Sequence, residues 1–492
     1  MLTHLPILQV IVPLMAAPLC LFLTRSRLVW LFALIVSGLT FLISSLLLQQ
    51  VMDSGTISYT LGGWDAPWGI EYRIDQLNAL LLLIISAVST VVLFAAHTSI
   101  QLEIPEDRHT LFYILYLLSL AGMLGIVATA DAFNVFVFLE ISSLSAYALI
   151  ALGKDRRALW ASYQYLIMGT IGATFILIGI GLMYQMTGTL NMYDLSQRLP
   201  EVENTRTVFT AFTFVIVGVC LKLALFPLHL WLPNAYAYAP SIVAAFFAAT
   251  ATKVAVYLLI RFTFSVFGLS FSFTALPLQL LFVVLGLVGI FVASFAAIYQ
   301  TNVKHLFAYS SIAQIGYMIV GFSMSSVTGL MATLLHLFNH ALMKSALFLA
   351  LAAVVYRVGS VQLNQFHGLG RQMPYTMAAI VIGGLSLIGV PLTVGFVSKW
   401  YLIMATIENG WWPVTVLVLL GSLLAIVYVW RIVEAAYFKP PLSGRENIKE
   451  APLSLLIPIW TMVVANIYFG IDTRLSVQVA QAAAQSLFGA TP

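Results

Sequence analysis

The chain carries a small set of ionisable side chains inside stretches that are otherwise apolar. They are Glu140, Lys222, Lys253, His336, His340, Lys344 and Lys399. Side chains of these types can take up and release protons, and histidine does so close to neutral pH. A charge in the middle of a bilayer costs about 2.5–3.5 kcal/mol on insertion scales, so ionisable residues in membrane segments are functional by default. The set predicts a path for protons through a membrane protein.

Glu140 and Lys222 are candidates for one proton-carrying pair. Glu140 is in the apolar run FNVFVFLEISSLSAYALIALG, and Lys222 precedes the interruption FPLHLWLP at 226–233. Pro227 removes a backbone donor, and backbone that is unwound at membrane depth requires protein or water around it. A lysine that is cationic beside Glu140 and neutral when the pair opens would carry a proton. A static salt bridge and a static kink are the structural alternatives.

The segment HLFNHALMKSALFL places His336, His340 and Lys344 at positions i, i+4 and i+8. These positions share one helix face. The stripe is typical of a water-assisted proton relay, and packing with hydrogen bonds is the alternative. Two histidines at this spacing can also bind a metal, but no third ligand is evident. We therefore predict neither a metal nor a cofactor.

Lys253, Lys399 and His229 complete the candidates. Lys253 is near the middle of its apolar run, where it would relay protons between the two halves of the chain. Lys399 follows a second interruption, IGVPLTVGF at 388–396. It would either end the path or extend to the membrane surface beside its aromatic neighbours. His229, inside the first interruption, is either a lining residue or a structural histidine with satisfied hydrogen bonds.

Composition decides the class of protein that must position these residues. The chain has 492 residues, of which 61% are hydrophobic and 8% charged, and its mean hydropathy is +1.00. Soluble domains average about 25% charged residues. The two cysteines form no CxxC pair, which argues against an iron–sulfur or zinc site, and no basic run suggests nucleic acid. The composition predicts an all-α polytopic membrane protein.

Fourteen apolar runs are long enough to cross a bilayer. They cover residues 4–23, 28–50, 76–97, 110–129, 131–151, 162–186, 207–228, 241–260, 276–299, 303–322, 327–355, 376–404, 411–438 and 452–470. The first run lacks a preceding basic region, so we interpret it as a membrane helix and not as a cleaved signal. The tail at 471–492 carries no motif.

The distribution of lysine and arginine predicts the orientation. Loops after odd-numbered spans hold 13 of these residues, and loops after even-numbered spans, with the tail, hold 5. The richer set should be cytoplasmic. Both termini would then lie on the outer face of the cell inner (plasma) membrane.

The two interruptions fall in the seventh and twelfth spans, which run in opposite directions. Such a pair indicates inverted repeats with broken helices near the transport path. We predict four units: helices 1–3 at 1–109, a first five-helix repeat (helices 4–8) at 110–262, a second (helices 9–13) at 263–440, and helix 14 with the tail at 441–492.

Five stretches resemble the proton-conducting antiporter-like family, which includes the antiporter-like subunits of respiratory complex I and the large subunits of Mrp-type Na⁺/H⁺ antiporters. They are FNVFVFLEISSLSAYALIALG, FPLHLWLPNAYAYAPS with TKVAVYLLIRF, KHLFAYSSIAQIGYMIVG, HLFNHALMKSALFL and GVPLTVGFVSKW. The resemblance implies 14 helices, two inverted repeats and broken helices 7 and 12. The run HLWLPNAYAYAPS is most similar to the D subunits of Mrp-type antiporters.

The resemblance also implies roles for individual residues. The family's glutamate on helix 5 and lysine on helix 7 match Glu140 and Lys222. Its lysine on helix 8, histidine on helix 11 and terminal lysine on helix 12 match Lys253, His336 and Lys399. His340, Lys344 and His229 remain additional candidates, and no relay residue is assigned on helix 10.

We therefore expect an ion-translocating subunit of a multisubunit Na⁺/H⁺ antiporter, with other membrane subunits as partners. The alternative is the proton-pumping subunit of a complex I-like NADH:quinone oxidoreductase or a membrane-bound hydrogenase. No nucleotide-binding glycine loop and no cysteine cluster is present, so redox chemistry would belong to partner subunits. A scaffold without conduction is the third possibility.

Overall fold

Long helices make up nearly all of the computed structural model, which describes residues 2–23, 25–275, 277–444 and 447–489. Arg445, one of the 13 basic residues above, lies outside the described residues. The helices are α1 (Leu5–Leu19), α2 (Ser26–Ser54), α3 (Gln76–Glu103), α4 (His109–Ala128), α5 (Ala132–Ala151), α6 (Arg157–Thr187), α7 (Met192–Val202), α8 (Arg206–Leu223), α9 (Trp231–Tyr238), α10 (Ser241–Ile260), α11 (Leu278–Tyr299), α12 (Val303–Ser323), α13 (Val327–Val358), α14 (Leu369–Gln372), α15 (Pro374–Ile388), α16 (Val394–Glu408), α17 (Trp412–Val433), α18 (Leu453–Ile471) and α19 (Arg474–Gly489).

The long apolar segments become helices because a spanning segment must satisfy its backbone hydrogen bonds internally. Polar side chains fix several helix starts: Asp75 caps α3, Asp131 caps α5 and Thr205 caps α8. Glycine in the left-handed conformation ends α6 at Gly188 and α13 at Gly359. These signals in the sequence set the lengths of the crossings.

The bundle has two distinct ends. One carries the antiparallel hairpin of β1 (Ile57–Thr60) and β2 (Glu71–Ile74), so we call it the hairpin face. The other, which we call the basic face, holds the loop at 153–157, the bridge between Asn302 and Gln362, and the segment before α18. Both ends of the described chain lie on the hairpin face, since His4 bonds Tyr59 in β1 and α19 packs against the end of α3 that follows β2.

The predicted crossings are confirmed. Thirteen helices in the described residues are long and apolar enough to span a membrane. The remaining predicted span is the pair α15 and α16, which are separated by a break at 389–393. The seventh span is likewise broken, because α8 ends at Leu223 and the chain resumes helical structure in α9 at Trp231. The most completely buried crossings are α10 and α12 at the centre of the bundle, and α4 and α13 follow.

The two broken helices run in opposite directions. The first begins at Arg206 on the hairpin face, after α7. The second begins on the basic face, where Glu450 accepts hydrogen bonds from the backbone N–H and the hydroxyl of Thr376 in the first turn of α15. Each break contains a non-glycine residue in the left-handed region, Ala224 with φ 58° and Leu392 with φ 71°. Such strain persists only where the surrounding structure enforces it.

Several helical elements were not predicted, among them α7 and α19. The polar stretch at 187–206 contains the short helix α7, and the tail contains α19. Apolar residues of α19 pack against α3, α13 and the segment Arg261–Val266. Its alanine- and glutamine-rich composition hides this role, because the apolar face is narrow and consists largely of small side chains.

Candidate functional site

Lys222 lies in the last turn of α8 and binds hydroxyl groups of α5. Its Nζ atom donates to Oγ of Ser143 over 2.8 Å and lies 3.5 Å from the hydroxyl of Tyr147. The lysine is buried, as are both hydroxyl-bearing residues. The first broken helix thus ends with a cation that is held by neutral oxygen atoms.

Glu140 is half-buried on α5, three residues before Ser143. The direct contact expected between Glu140 and Lys222 is not formed. Ion pairs within 4.0 Å in the described part of the chain do not include this pair. Because residues three apart on a helix are neighbours, Ser143, which binds Lys222, lies beside Glu140 on α5.

The break after α8 is stabilised by side chains of its own sequence. The indole N–H of Trp231 donates to the carbonyl oxygen of Leu221 over 3.0 Å, which satisfies one of the free carbonyls at the helix end. His229 is buried in the break and stacks on Phe226 with ring centroids 5.3 Å apart. Its Nδ1 atom is buried without a hydrogen-bond partner in the described structure.

Lys253 is fully buried in α10, the central helix of the bundle. Its Nζ atom donates to the carbonyl oxygen of Ala248 over 2.5 Å and lies 3.5 Å from the hydroxyl of Thr252. Both partners are on α10 itself. A lysine whose hydrogen bonds in the described structure stay within its own helix can change partners without disturbing the packing between helices.

His336 on α13 joins three helices. Its Nδ1 atom is 2.9 Å from Oγ of Ser398 on α16, and its Nε2 atom is 2.9 Å from Oε1 of Gln314 on α12. Both ring nitrogens therefore have partners, and the imidazole is buried. A ring held at both nitrogens has a fixed orientation, which a proton relay requires.

His340 and Lys344 continue the stripe on α13 with contrasting surroundings. The ring of His340 lies parallel to that of His336 at 6.2 Å, and both of its nitrogens are buried without a partner in the described residues. Lys344 donates to the carbonyl oxygen of Phe307 over 2.7 Å and to Oγ of Ser310 over 2.5 Å. Unpartnered buried nitrogens are rare and require an explanation, such as ordered water or a function.

Lys399 reaches back to the break of the second broken helix. Its Nζ atom donates to the carbonyl oxygens of Leu387 and Ile388, each over 2.9 Å, at the end of α15. It also lies 4.7 Å from the ring centre of Tyr317. The side chain is buried, so the alternative of a lysine extending to the membrane surface is wrong.

Several residues of this site were not assigned by the sequence reasoning as partners of particular ionisable groups. They are Ser143, Gln314, Tyr317 and Ser398 as partners of the ionisable groups, with Ser310 as the acceptor for Lys344. A polar side chain such as Gln314 inside an apolar run is a usable signal. The serine hydroxyl groups give no comparable signal in the sequence, because serine is common on the small-residue faces of membrane helices.

The described residues contain no group of three or more His, Cys, Asp or Glu side chains that could hold a metal ion. Cys20 and Cys220 are buried free thiols. The arrangement consists of one acid, four lysines and two histidines on α5, α8, α10, α13 and α16. It can hold and exchange protons but offers no redox centre among these groups.

A membrane-spanning bundle with two oppositely directed broken helices and buried ionisable groups beside them defines a transporter-type class of protein. The chain belongs to the family "NADH:quinone oxidoreductase/Mrp antiporter, TM", whose model matches residues 129–425. It is 39% identical to NADH-quinone oxidoreductase subunit N of Desulforudis audaxviator, over 96% of each chain. It is 30% identical to the D subunit of the Na⁺/H⁺ antiporter of Bacillus subtilis, over 97% of this chain and 96% of the relative.

A solved structure shows the same fold. It is that of the membrane-bound sulfane sulfur reductase, an archaeal respiratory membrane complex. The similar chain has a TM-score of 0.89 and 32% identity, with coverage of 99% of this chain and 97% of that one. The predicted family and fold class are thereby confirmed.

Proposed function

We propose that the protein is the ion-translocating subunit of a multisubunit monovalent cation (Na⁺)/H⁺ antiporter. One observation carries this proposal: the intramembrane lysines and histidines are buried inside the bundle, with Glu140 half-buried on α5, and two of the lysines lie at its breaks, Lys222 at one and Lys399 at the other. Charges that served only solubility would not be placed there, since each is costly in a bilayer.

The proposed path begins with Glu140 and Lys222. In the structure Lys222 is held by Ser143 and Tyr147, one of two positions that it would alternate between. In the other it would pair with Glu140, so that a proton arriving at the carboxylate releases the lysine again. Charge would then pass through Lys253 and His336 to Lys399, with His340, Lys344 and His229 as additional candidates.

The basic face would be cytoplasmic, both termini would lie outside, and the membrane would be the cell inner membrane. The partners would be other membrane subunits, and the transported ions H⁺ and Na⁺. The relative from Bacillus subtilis is named as part of a Na⁺/H⁺ antiporter, which supports this assignment.

The test uses inverted vesicles from an antiporter-deficient host that expresses the whole complex. Sodium-dependent changes in ΔpH are measured for the unaltered chain, for Glu140→Ala and for Lys222→Ala. We expect both variants to lose exchange at normal membrane levels. Glu408→Ala is the matched control, because this acid is exposed at the end of α16. Exchange at the unaltered rate in Glu140→Ala would refute the proposal that Glu140 and Lys222 carry the proton.

A second candidate is the proton-pumping subunit of a redox-driven complex. The identity of 39% to a protein named NADH-quinone oxidoreductase subunit N favours it. The same residues would carry protons, and a redox reaction in partner subunits would drive them. Proton uptake into the same vesicles only after an electron donor is added, without a sodium response, would assign the chain to this class.

A further inference from the structure

A cavity of about 390 Å³ opens at the basic face, over the ends of the helices that carry the buried ionisable groups. It is enclosed by the end of α3, the loop at 153–157, the segment before α10, the start of α12 and the residues that follow α13. Five charged side chains line it: Glu103, Lys154, Asp155, Arg157 and Lys304. Because α10, α12 and α13 carry Lys253, Gln314 and His336, this cavity lies on the axis of the proposed path.

Glu103 and Lys304 are the inner charged groups of the cavity. Glu103 accepts hydrogen bonds from the backbone N–H of Ser241 over 3.0 Å and from its hydroxyl over 2.9 Å. Lys304 is 4% exposed, and its Nζ atom is 3.9 Å from Oε2 of Glu103 and 3.2 Å from the carbonyl oxygen of Ala239. A carboxylate at the start of α10 is favoured by the helix dipole, and it remains accessible to water from the cavity.

The other acid of the cavity, Asp155, is already engaged in an ion pair. Asp155 forms an ion pair with Arg157, with Nη2 and Oδ2 2.7 Å apart. Hydrogen bonds from Arg157 lower the pKa of Asp155 below its ordinary range, so this carboxylate stays charged. Lys154 donates to the carbonyl oxygen of Leu102. Glu103 is the acid of the cavity that faces Lys304, and it accepts hydrogen bonds from Ser99 and Ser241.

An aromatic layer separates the cavity from Lys344. The ring of Phe348 lies 6.5 Å from that of Phe307 and 6.1 Å from that of Tyr236. Phe307 is one turn beyond Lys304 on α12, and its carbonyl oxygen accepts the hydrogen bond from Lys344. The three rings form one layer. Lys304 lies on its cavity side and Lys344 on its inner side, and both lysines are buried. Apolar constrictions of this kind can close a path by excluding water.

We propose that this cavity is the mouth through which protons reach the buried path from the basic face, with Glu103 and Lys304 at its floor and the rings of Phe307 and Phe348 as the barrier before Lys344. The proposal rests on the proposed ion-translocating function and gives the middle of the path, at Lys344, an entrance of its own from the basic face, in addition to the start at Glu140. A proton that binds Glu103 weakens the attraction of this carboxylate for Lys304, which leaves the lysine free to shift toward the layer.

The first experiment blocks the mouth. Ser360→Cys places a thiol in the cavity lining, and Glu106→Cys places one on the same face outside it. Inverted vesicles that contain the whole complex are treated with a membrane-impermeant trimethylammonium thiosulfonate, and each variant is compared before and after modification. We expect modification of Ser360→Cys to lower transport about tenfold or more, because the adduct adds bulk and a cation near Lys304, while modified Glu106→Cys keeps its rate. Complete modification of Ser360→Cys with unchanged transport overturns the proposal.

The second experiment tests the barrier without using transport. Ser310→Cys places a thiol on the inner side of the layer, and the same reagent is applied to it with and without Phe348→Ala. Labelling measured by mass should rise severalfold when Phe348 is removed, and labelling that does not rise overturns the barrier. Glu140→Ala separates the two proposals: if it abolishes exchange while the blocked cavity does not, only the mouth is wrong, whereas exchange that survives in Glu140→Ala overturns the function itself.

Discussion

The ammonium group of Lys222 lies 2.8 Å from the hydroxyl oxygen of Ser143, and Ser143 follows Glu140 by three residues on α5. The hydroxyl group that binds Lys222 therefore lies beside the carboxylate's position on the same helix. A neutral partner allows Lys222 to stay buried while Glu140 is free to exchange protons. Lys222 therefore has two candidate partners, the hydroxyl group of Ser143 that it binds in the structure and the carboxylate of Glu140 in the proposed function.

Ser143→Ala removes one of these positions. A hydrogen bond to a charged group is worth about 1.5–3 kcal/mol, and 1.4 kcal/mol corresponds to a tenfold change in an equilibrium. We expect Lys222 to remain with Glu140 and the exchange rate to fall about tenfold, as measured by initial ΔpH changes in vesicles. Ser143→Thr, which keeps the hydroxyl, should retain exchange. Ser145→Ala is the matched control on α5, and equal rates for Ser143→Ala and Ser145→Ala would refute a role for this hydrogen bond.

Lys399→Glu should destabilise the second broken helix. The lysine binds two carbonyl oxygens at the end of α15, where the helix dipole is negative. A carboxylate there would repel both oxygens and leave them without donors, at a cost of about 1–3 kcal/mol for each unsatisfied group. We expect lower thermal stability of the purified complex and loss of exchange. Lys399→Arg keeps the charge and the donors, so a drop in stability as large as that of Lys399→Glu would contradict this explanation.

Arg261 and Asp75 form a bidentate ion pair at the hairpin face that is largely but not fully buried, with contacts of 2.8 and 3.0 Å. Removing one partner of such a pair costs about 3–5 kcal/mol, whereas replacing both is often nearly neutral. We therefore expect Arg261→Met to lower the thermal midpoint strongly and the double variant Asp75→Asn with Arg261→Met to recover most of it. Asn at 75 can still cap α3. A double variant that is as unstable as Arg261→Met would show that the pair itself is not the cause.

The same pair predicts a pH window. Burial would raise the pKa of Asp75, but the charge and hydrogen bonds of Arg261 outweigh it and lower the pKa below the ordinary value of 3.8. A lowered pKa in the folded state contributes stability that is present above pH 3.8 and is lost as the pH falls further. The stability difference between the unaltered chain and Asp75→Asn should thus be constant from pH 5 to pH 8. A difference that shrinks between those values would disprove the assignment of this shift to Asp75.

The sequence predicted the crossings and the breaks because these depend on local rules. A spanning helix requires a long apolar run, and Pro227 and Pro391 mark the interrupted segments directly. The ionisable residues were visible for the same reason, since Glu140 or Lys253 stands out against an apolar background.

The partners of those residues depend on which helix faces which, and single-residue patterns do not encode that. Ser143 and Ser145 are equivalent in the sequence, yet only Ser143 is bonded to Lys222 in the described structure. From the residues alone the direction of Lys399 stayed open, because its aromatic neighbours also suit the membrane surface, and only the resemblance to the family favoured the path. The helix α19 escaped prediction because alanine gives only a weak amphipathic signal.

Gly218→Ala should separate α8 from α6 close to the lysine site. A Cβ atom at Gly218 would lie 2.6 Å from the carbonyl oxygen of Gly172 and 2.8 Å from Cγ1 of Ile176, so one helix must move. Overpacking of this kind costs about 1–3 kcal/mol. Because Lys222 is one turn beyond Gly218, we also expect the bond to Ser143 to lengthen and exchange to slow.

Gly181→Ala provides the matched control for Gly218→Ala. Gly181 is an exposed glycine on α6, and a Cβ atom there would meet nothing within 4 Å. Alanine is the better helix former by up to about 1 kcal/mol, so this variant should be as stable as the unaltered chain or slightly more so. Thermal unfolding of the purified complex and vesicle exchange are measured for both. If Gly218→Ala behaves like Gly181→Ala in both measurements, the close approach of α6 and α8 does not position Lys222.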